Sequence, residues 1–346
     1  MKKVDYIIVG LGLAGINFCE VLIRNNKSFV VIDDASQMSS VVAGGLYNPV
    51  VLKRFTEVWK ASEQLEMAIS TYNRLENLLN ITIDYKISVR RLFNSVEEQN
   101  NWTVASDKPN LSQYLSTKFI TNENQHIKAD FGFGEVLETG RIDTSKLVSD
   151  FKKYLQDKGQ FINESFNHDA LKDFEEYVQY GEIKASHIVF AEGFGLKQNP
   201  FFNHLPLNGT KGELLIIYAP DLKIDYVLKS SVFLIPLGED LYTVGATYDW
   251  EDKTNNTTQK GKEELISKLN SFLKCDYEVV KQVAGIRPTV IDRRPLVGRH
   301  GKHKNMCVLN GLGTRGVMIA PYIAQKLYEL IENNIPLEKE IDINRF

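Results

Sequence analysis

The chain opens on a short apolar run, Val4-Asp5-Tyr6-Ile7-Ile8-Val9, the pattern of a strand buried on both faces. Gly10-Leu11-Gly12-Leu13-Ala14-Gly15 follows. Apolar residues at mixed helical spacing then run from about Ala14 to Arg24, and Asn25-Asn26-Lys27 stops them. Phe29-Val30-Val31-Ile32 is a second buried strand, ending in Asp33-Asp34. Beyond it, Glu57 to Leu79 is helix-like. Leu214 to Tyr218, Val232 to Ile235 and Leu241 to Gly245 are strand-like, with Pro236 to Asp240 as the turn between the last two. Asp252 to Lys260 is polar and reads as a surface loop, and Glu263 to Leu273 has helical periodicity. Near the end a short strand, Met306 to Leu309, leads through Asn310-Gly311-Leu312-Gly313-Thr314-Arg315-Gly316 into a helix from about Val317 to Asn333. No internal repeat or low-complexity tract interrupts this order.

The first thirty-four residues carry chemistry as well as structure. Gly10 suits the tight turn off the strand. Gly12, without a Cβ, lets a pyrophosphate approach the backbone, and Gly15 lets the helix pack closely on the sheet. The helix N-terminus presents unpaired N–H groups and a positive dipole to the phosphates. Asp33 lies 18 residues past Gly15 at the end of the second strand, where a carboxylate accepts from ribose hydroxyls. Asp34 could touch the ribose edge or start the next turn. Together these elements predict a dinucleotide site. Val42-Ala43-Gly44-Gly45-Leu46-Tyr47-Asn48-Pro49 supplies small residues where the chain would pass a bound cofactor, or a plain Gly-Gly loop.

Composition narrows the class. At 346 residues the length suits about two domains, and 43% hydrophobic with 25% charged residues is ordinary for a globular chain. A net charge of −3, from 41 basic and 44 acidic residues, does not indicate a broad nucleic-acid footprint. Cys19, Cys275 and Cys307 form no C-x-x-C pair, so a reducing cytoplasm is expected. No apolar run approaches a membrane span, and Met1-Lys2-Lys3 leads into no cleavage site.

The far end makes the reading specific. Gly285 to Gly298 spells G-x-R-P-x-x-x-D-x-x-P-x-x-G, and Gly311 to Pro321 spells G-x-G-x-x-G-x-x-x-A-P. With the N-terminal fingerprint, these motifs resemble the D-amino-acid-oxidase-like family of FAD-dependent oxidoreductases, the group of the glycine and sarcosine oxidases. Internal landmarks keep the family's order: Gly140-Arg141-Ile142-Asp143 before a helix from Thr144 to Leu155, His187 to Gly193, Lys211 to Leu214, Phe233 to Pro236, and Val244 to Thr247. Leu312 to Gly316 is also similar to the flavin domain of the bifunctional enzymes that modify a tRNA wobble uridine.

This resemblance implies an α/β fold in which a Rossmann-type FAD-binding domain (1–82, 138–205 and 280–346) is interleaved with a mostly antiparallel β-sheet substrate domain (83–137 and 206–279). It implies oxidation of a C–N bond by hydride transfer to flavin N5, followed by imine hydrolysis, and a small amine or amino-acid substrate. The cofactor would be held by Gly10, Gly12, Leu13, Ala14, Gly15, Asp33, Asp34, Gly44, Gly45, Leu46, Phe166, Gly193, Gly311, Leu312, Gly313, Thr314, Arg315, Gly316, Val317 and Met318. Gly285 stands in the region where sarcosine oxidases carry a flavin-linking cysteine, and Cys307 reads as core, so FAD is expected to be non-covalent.

Arg287 matches the family arginine that holds the substrate carboxylate, or it pins the domain junction with a salt bridge. Arg315 would face the flavin's pyrimidine carbonyls or brace the turn. Thr314 stands where glycine oxidases place another arginine against substrate. Phe233 replaces a frequent tyrosine and Ser231 a glycine-oxidase histidine, which makes Phe233 a pocket wall or a core residue and glycine itself a doubtful substrate. The pairs Lys53-Arg54, Arg90-Arg91 and Arg293-Arg294 read as solvated faces, His300 and His303 as a loop rather than a metal site, and Trp59 as a packing anchor. A modified tRNA base is the alternative substrate. A non-catalytic flavoprotein would need a blocked pocket, with Tyr242, Tyr248 or Trp250 as the plug.

Overall fold

The computed structural model describes residues 1–346. The first strand, Lys2–Val9, pairs in parallel with Phe29–Ile32 on one side and Ile183–Phe190 on the other. The end of Ile183–Phe190 pairs in parallel with Met306–Asn310. Where these strands pair they are apolar toward both faces: helices cover one face, and Val178, Leu196, Phe202 and Leu205, from a strand and the turns after it, cover the other. Leu13–Arg24 lies against the last helix, Gly316–Asn333, which also meets Ala61–Leu79. Tyr72 donates to the Val317 carbonyl at 2.8 Å across that contact. Arg24 reaches Gln325 at 2.6 Å, so the two ends of the chain are fastened side by side. Cys19 and Cys307 are both fully buried here.

The second large sheet has eight strands. From one edge they run Glu278–Arg287, Thr210–Tyr218, Leu241–Gly245, Phe233–Gly238, Val227–Lys229, Val89–Leu92, Phe133–Val136 and Leu115–Ile120. All neighbours are antiparallel except Val227–Lys229 beside Val89–Leu92. Glu278–Arg287 belongs to this sheet along its whole length. The alternation of side chains gives the sheet two faces. Leu215, Val244, Leu234 and Leu228 share one face and form a core with Leu265 and Leu269 of the helix Gln259–Asn270. Leu214, Gly245, Phe233 and Lys229 pair directly across four strands and share the other face.

Three local features differ from the pattern-based expectation, one being the helix expected over Glu263 to Leu273, which spans Gln259–Asn270 because the Thr258 hydroxyl caps it, accepting from the Gly261 N–H at 3.0 Å. The helix expected from Glu57 starts at Ala61, because Lys60 is left-handed (φ 49°) and Thr56–Glu57 pairs with Val50–Val51 instead. The hairpin turn is also shorter than Pro236 to Asp240. The strand continues to Gly238, and Glu239 and Asp240, with φ of 51° and 59°, make a two-residue turn whose twist matches the strands. No helix is long and apolar enough to cross a membrane.

Candidate active site

A cleft of about 590 Å³ runs between the ends of the parallel strands and the open face of the second sheet. Its floor begins where Val9 and Ile32 end. Gly10 turns at φ 101°, and a Cβ there would lie 2.5 Å from the Ala191 carbonyl oxygen. A Cβ on Gly15 would lie 2.1 Å from the Gly10 carbonyl oxygen, so only glycine lets the helix sit this close. Gly12 at the N-cap has no side chain to cap the helix, and Ser40 Oγ accepts from the Leu13 N–H at 3.0 Å. The N–H groups of Ala14 and Gly15 find no acceptor within the protein, and neither do those of Gly316 and Val317 at the start of the last helix. Two helix N-termini thus bring positive dipoles and free donors, those of Ala14, Gly316 and Val317, to one cleft.

Acids define the outer end. Asp33 accepts from the N–H groups of Leu11 and Ala35, both at 3.0 Å. Burial raises its carboxyl above the ordinary range, and those two donors only partly offset this. Asp34 accepts from the Ser36 N–H at 2.9 Å and from the Ser165 hydroxyl, so it does form the turn, although it also lines the cleft. Phe166 is stacked on Tyr180 with centroids 4.4 Å apart. Next to it His168 meets Glu192 at 2.8 Å, and Asn199 donates to the same carboxylate at 2.7 Å.

Further in, Asn310 Nδ2 donates to the Gly193 carbonyl at 2.9 Å, and its Oδ1 accepts from the Gly311 N–H at 2.7 Å, which locks two glycine turns together. The loop around Gly44 presses on the second sheet: a Cβ on Gly44 would lie 2.8 Å from Ile235 Cδ1, and one on Gly285 2.8 Å from Val42 Cγ2.

The inner end lies under the second sheet. The Arg287 guanidinium rests over Gly212, where a Cβ would come within 2.3 Å of its Cζ. It is stacked against Tyr248, with Cζ 4.7 Å from the ring centroid, and donates to the Thr247 carbonyl at 3.4 Å. No carboxylate stands within 4.0 Å of Arg287, so the salt-bridge alternative does not occur. Burial lowers its pKa and Tyr248 only partly compensates. Arg315 is held similarly, by the Asn48 carbonyl at 3.3 Å and with no acid partner, and burial lowers its pKa too. Phe233 lines the cleft from the sheet and also touches the core beneath.

Of the site residues expected from the sequence, all line the cleft except Gly15 and Gly311. Those two act behind the surface, since Gly311 turns at φ 75° against Val290 and Leu296. Sequence reasoning missed Ser40, Glu192, His168, Asn310 and Lys229. Of these, only Glu192 and Asn310 carried a signal, each standing beside a glycine turn at the end of a strand.

Two of the three candidate plugs lie outside the cleft, whereas Tyr248 lines it, stacked on Arg287. Tyr242 is buried in the core on the other face of its sheet, and Trp250 is not part of the lining. Trp59 packs edge-on to Tyr322 at 5.8 Å. Two of the basic pairs are engaged: Arg90 lies over Tyr226 at 3.9 Å, Arg91 meets Glu98 at 3.5 Å, and Arg294 covers Trp59 at 5.1 Å. His303 meets Asp173 at 2.6 Å and lies beside His300.

Residues 5–330 match the family described as FAD dependent oxidoreductase. The chain belongs to this family. Its members are FAD-dependent enzymes, and the two free helix termini, the glycine turns and the cleft lining fit that cofactor. A glycine oxidase of Bacillus subtilis (strain 168) is 28% identical over 160 residues, 44% of this chain and 43% of that protein. A tRNA 5-methylaminomethyl-2-thiouridine biosynthesis bifunctional protein of Campylobacter jejuni subsp. doylei is 24% identical over 113 residues, 32% of this chain and 18% of that protein. The matched stretches span less than half the length of these relatives. Among solved structures, the iminodiacetate oxidase of Chelativorans sp. BNC1 superposes with a TM-score of 0.81 at 16% identity, covering 97% of this chain and 98% of that one. The two-sheet α/β architecture of this FAD oxidoreductase is therefore the expected one.

Proposed function

We propose that this flavoenzyme oxidises the C–N bond of a small amino acid or N-substituted amino acid, and that the second sheet, including Glu278–Arg287, forms the substrate side of the cleft. The observation that carries the reading is Arg287: a half-buried guanidinium, facing the cleft, without a carboxylate. An unpaired buried cation costs folding energy, and an anionic ligand relieves that cost. A substrate carboxylate suits it because the fork can donate two parallel hydrogen bonds.

Bound non-covalently, FAD supplies the acceptor for a hydride from the carbon beside the amine nitrogen. Gly10 to Ala14 and Asp33 would hold its adenosine and pyrophosphate, and Gly44 to Leu46 with Gly313 to Met318 its ring. The chain's own work is then mostly placement. Arg287 anchors the carboxylate. Gly212 leaves room for the guanidinium, and the Tyr248 ring keeps water off one of its faces. Phe233 and Leu214 form an apolar wall that favours the neutral amine over the ammonium form, since desolvation penalises the charge. No acid or nucleophile is required of the protein.

The test is the visible spectrum of the purified protein, followed by anaerobic addition of amino acids and N-alkyl glycines. Bleaching of a flavin band by one of them is the expected result. A flavin that no amine reduces would overturn the substrate reading, and a protein that takes up no FAD would overturn the cofactor site.

A further inference from the structure

Lys229 is a charged group in the cleft that the proposed chemistry does not use. Its strand pairs directly with Phe233, so both side chains stand on the face that roofs the cleft. The Nζ folds over the Phe233 ring, 4.6 Å from the centroid. Its one hydrogen bond is to the Ser230 carbonyl at 2.7 Å, and no carboxylate lies within 4.0 Å. An ammonium has three donors, so two remain free. The charged groups that influence it are themselves cationic. Arg91 stands on the neighbouring strand, already paired with Glu98, and Lys268 on the helix Gln259–Asn270, already paired with Glu264. Burial and these two neighbours push Lys229 down to about 8.

The position relative to Arg287 gives the feature its meaning. Arg287 sits over Gly212, three strands away from Lys229 across the same face. At roughly 4.8 Å per strand, with Nζ folded back toward Phe233, the two cations stand on the order of 10–15 Å apart. Between them lie only Leu214, Gly245 and Phe233, which are apolar or lack a side chain. The chamber is thus a short apolar span with an unpaired cation at each end.

We propose that Lys229 is a second anion-binding point, so that the preferred substrate carries, besides the carboxylate held by Arg287, a second carboxylate separated from it by a short apolar stretch. This rests on Arg287 as the first anchor. The substrate class is a dicarboxylic amine, such as an N-(carboxyalkyl) amino acid, rather than a simple aliphatic amino acid. Two fixed cations on one rigid sheet would select the spacing of the two carboxylates as well as their charge.

Inert thioethers separate this from the oxidation chemistry. The FAD-loaded protein is titrated with ω-carboxyalkylthioacetates of one to four methylenes and with alkylthioacetates of matching length, and binding is read from the flavin spectrum. One dicarboxylate should bind at least about tenfold more tightly than its monocarboxylate partner, the size of one charge-assisted hydrogen bond. Lys229→Met should abolish that advantage and leave the monocarboxylate affinity unchanged, and Lys229→Arg should restore part of it. Equal binding of the two series, or a loss of both alike in Lys229→Met, would overturn the proposal. Failure of both series to perturb the flavin would remove the Arg287 anchor, and this inference with it. Preferential dicarboxylate binding without bleaching by any amine would instead overturn the oxidation reading alone.

Discussion

The two ends of the cleft are built on opposite principles. At the outer end the work is done by backbone: glycine turns, free N–H groups at helix termini, and acids such as Asp33 and Glu192 that are already hydrogen-bonded. At the inner end it is done by side chains without partners, Arg287 and Lys229, displayed on a sheet face cleared by Gly212 and Gly245. The first arrangement recognises a constant ligand, because pyrophosphate always asks for the same donors. The second leaves charge uncompensated, and in the proposed reaction the identity of its ligand is written in a few exchangeable side chains. One fold can therefore keep its cofactor while changing its substrate.

The sharpest break in this comparison is Arg287→Ala. It should lower kcat/KM by roughly 100- to 1000-fold, the cost of removing one partner of a desolvated charge pair, with FAD content unchanged. Its Tm should stay level or rise, because a half-buried cation without a partner has been removed. A fall in Tm would mean that the arginine serves the fold.

Gly15→Ala attacks the other end. The added methyl strikes the Gly10 carbonyl, and overpacking of this kind should weaken FAD binding at least about tenfold and lower the Tm by several degrees. Flavin titration of the apoprotein and calorimetry measure both.

Gly212→Ala tests whether a glycine can serve the substrate end alone. The Cβ would displace the guanidinium, raising KM by about tenfold with little effect on flavin content. An equal loss of FAD would show that the two ends are not separable.

The smallest effect is in pH. Lys229 is charged below about 8 and loses its charge above it. An anion bound to it favours the charged form, so the dicarboxylate advantage should fade several-fold between roughly pH 7 and 9. Monocarboxylate binding through Arg287, still charged there, should stay flat over that range.

The same contrast explains what could be read from the chain. Gly10 to Gly15, Asp33 and the last glycine turn were legible because their jobs are local: each depends on neighbours a few residues away. Asp34 resolved into a turn only when Ser165, far along the chain, closed on it. Lys229 left no trace, since its partners are defined by strand register and its significance by what does not approach it. Arg287 was found through its motif, but its lack of a salt bridge could not be, because an absent neighbour has no sequence. The start of the helix at Ala61 was missed for a related reason: a left-handed Lys60 and a two-residue pairing override a helical pattern.

The side-by-side packing of Leu13–Arg24 and Gly316–Asn333 has a consequence in time. On a ribosome the first strand and helix emerge early and must wait for the last helix on the order of tens of seconds at ordinary rates of synthesis. Until then the apolar flank of Leu13–Arg24 is bare, and the donors at Gly316 and Val317 do not yet exist. A complete cofactor cleft therefore does not exist while the chain is still being made. The cleft's second set of free donors comes into being only once that last helix has been made and has packed.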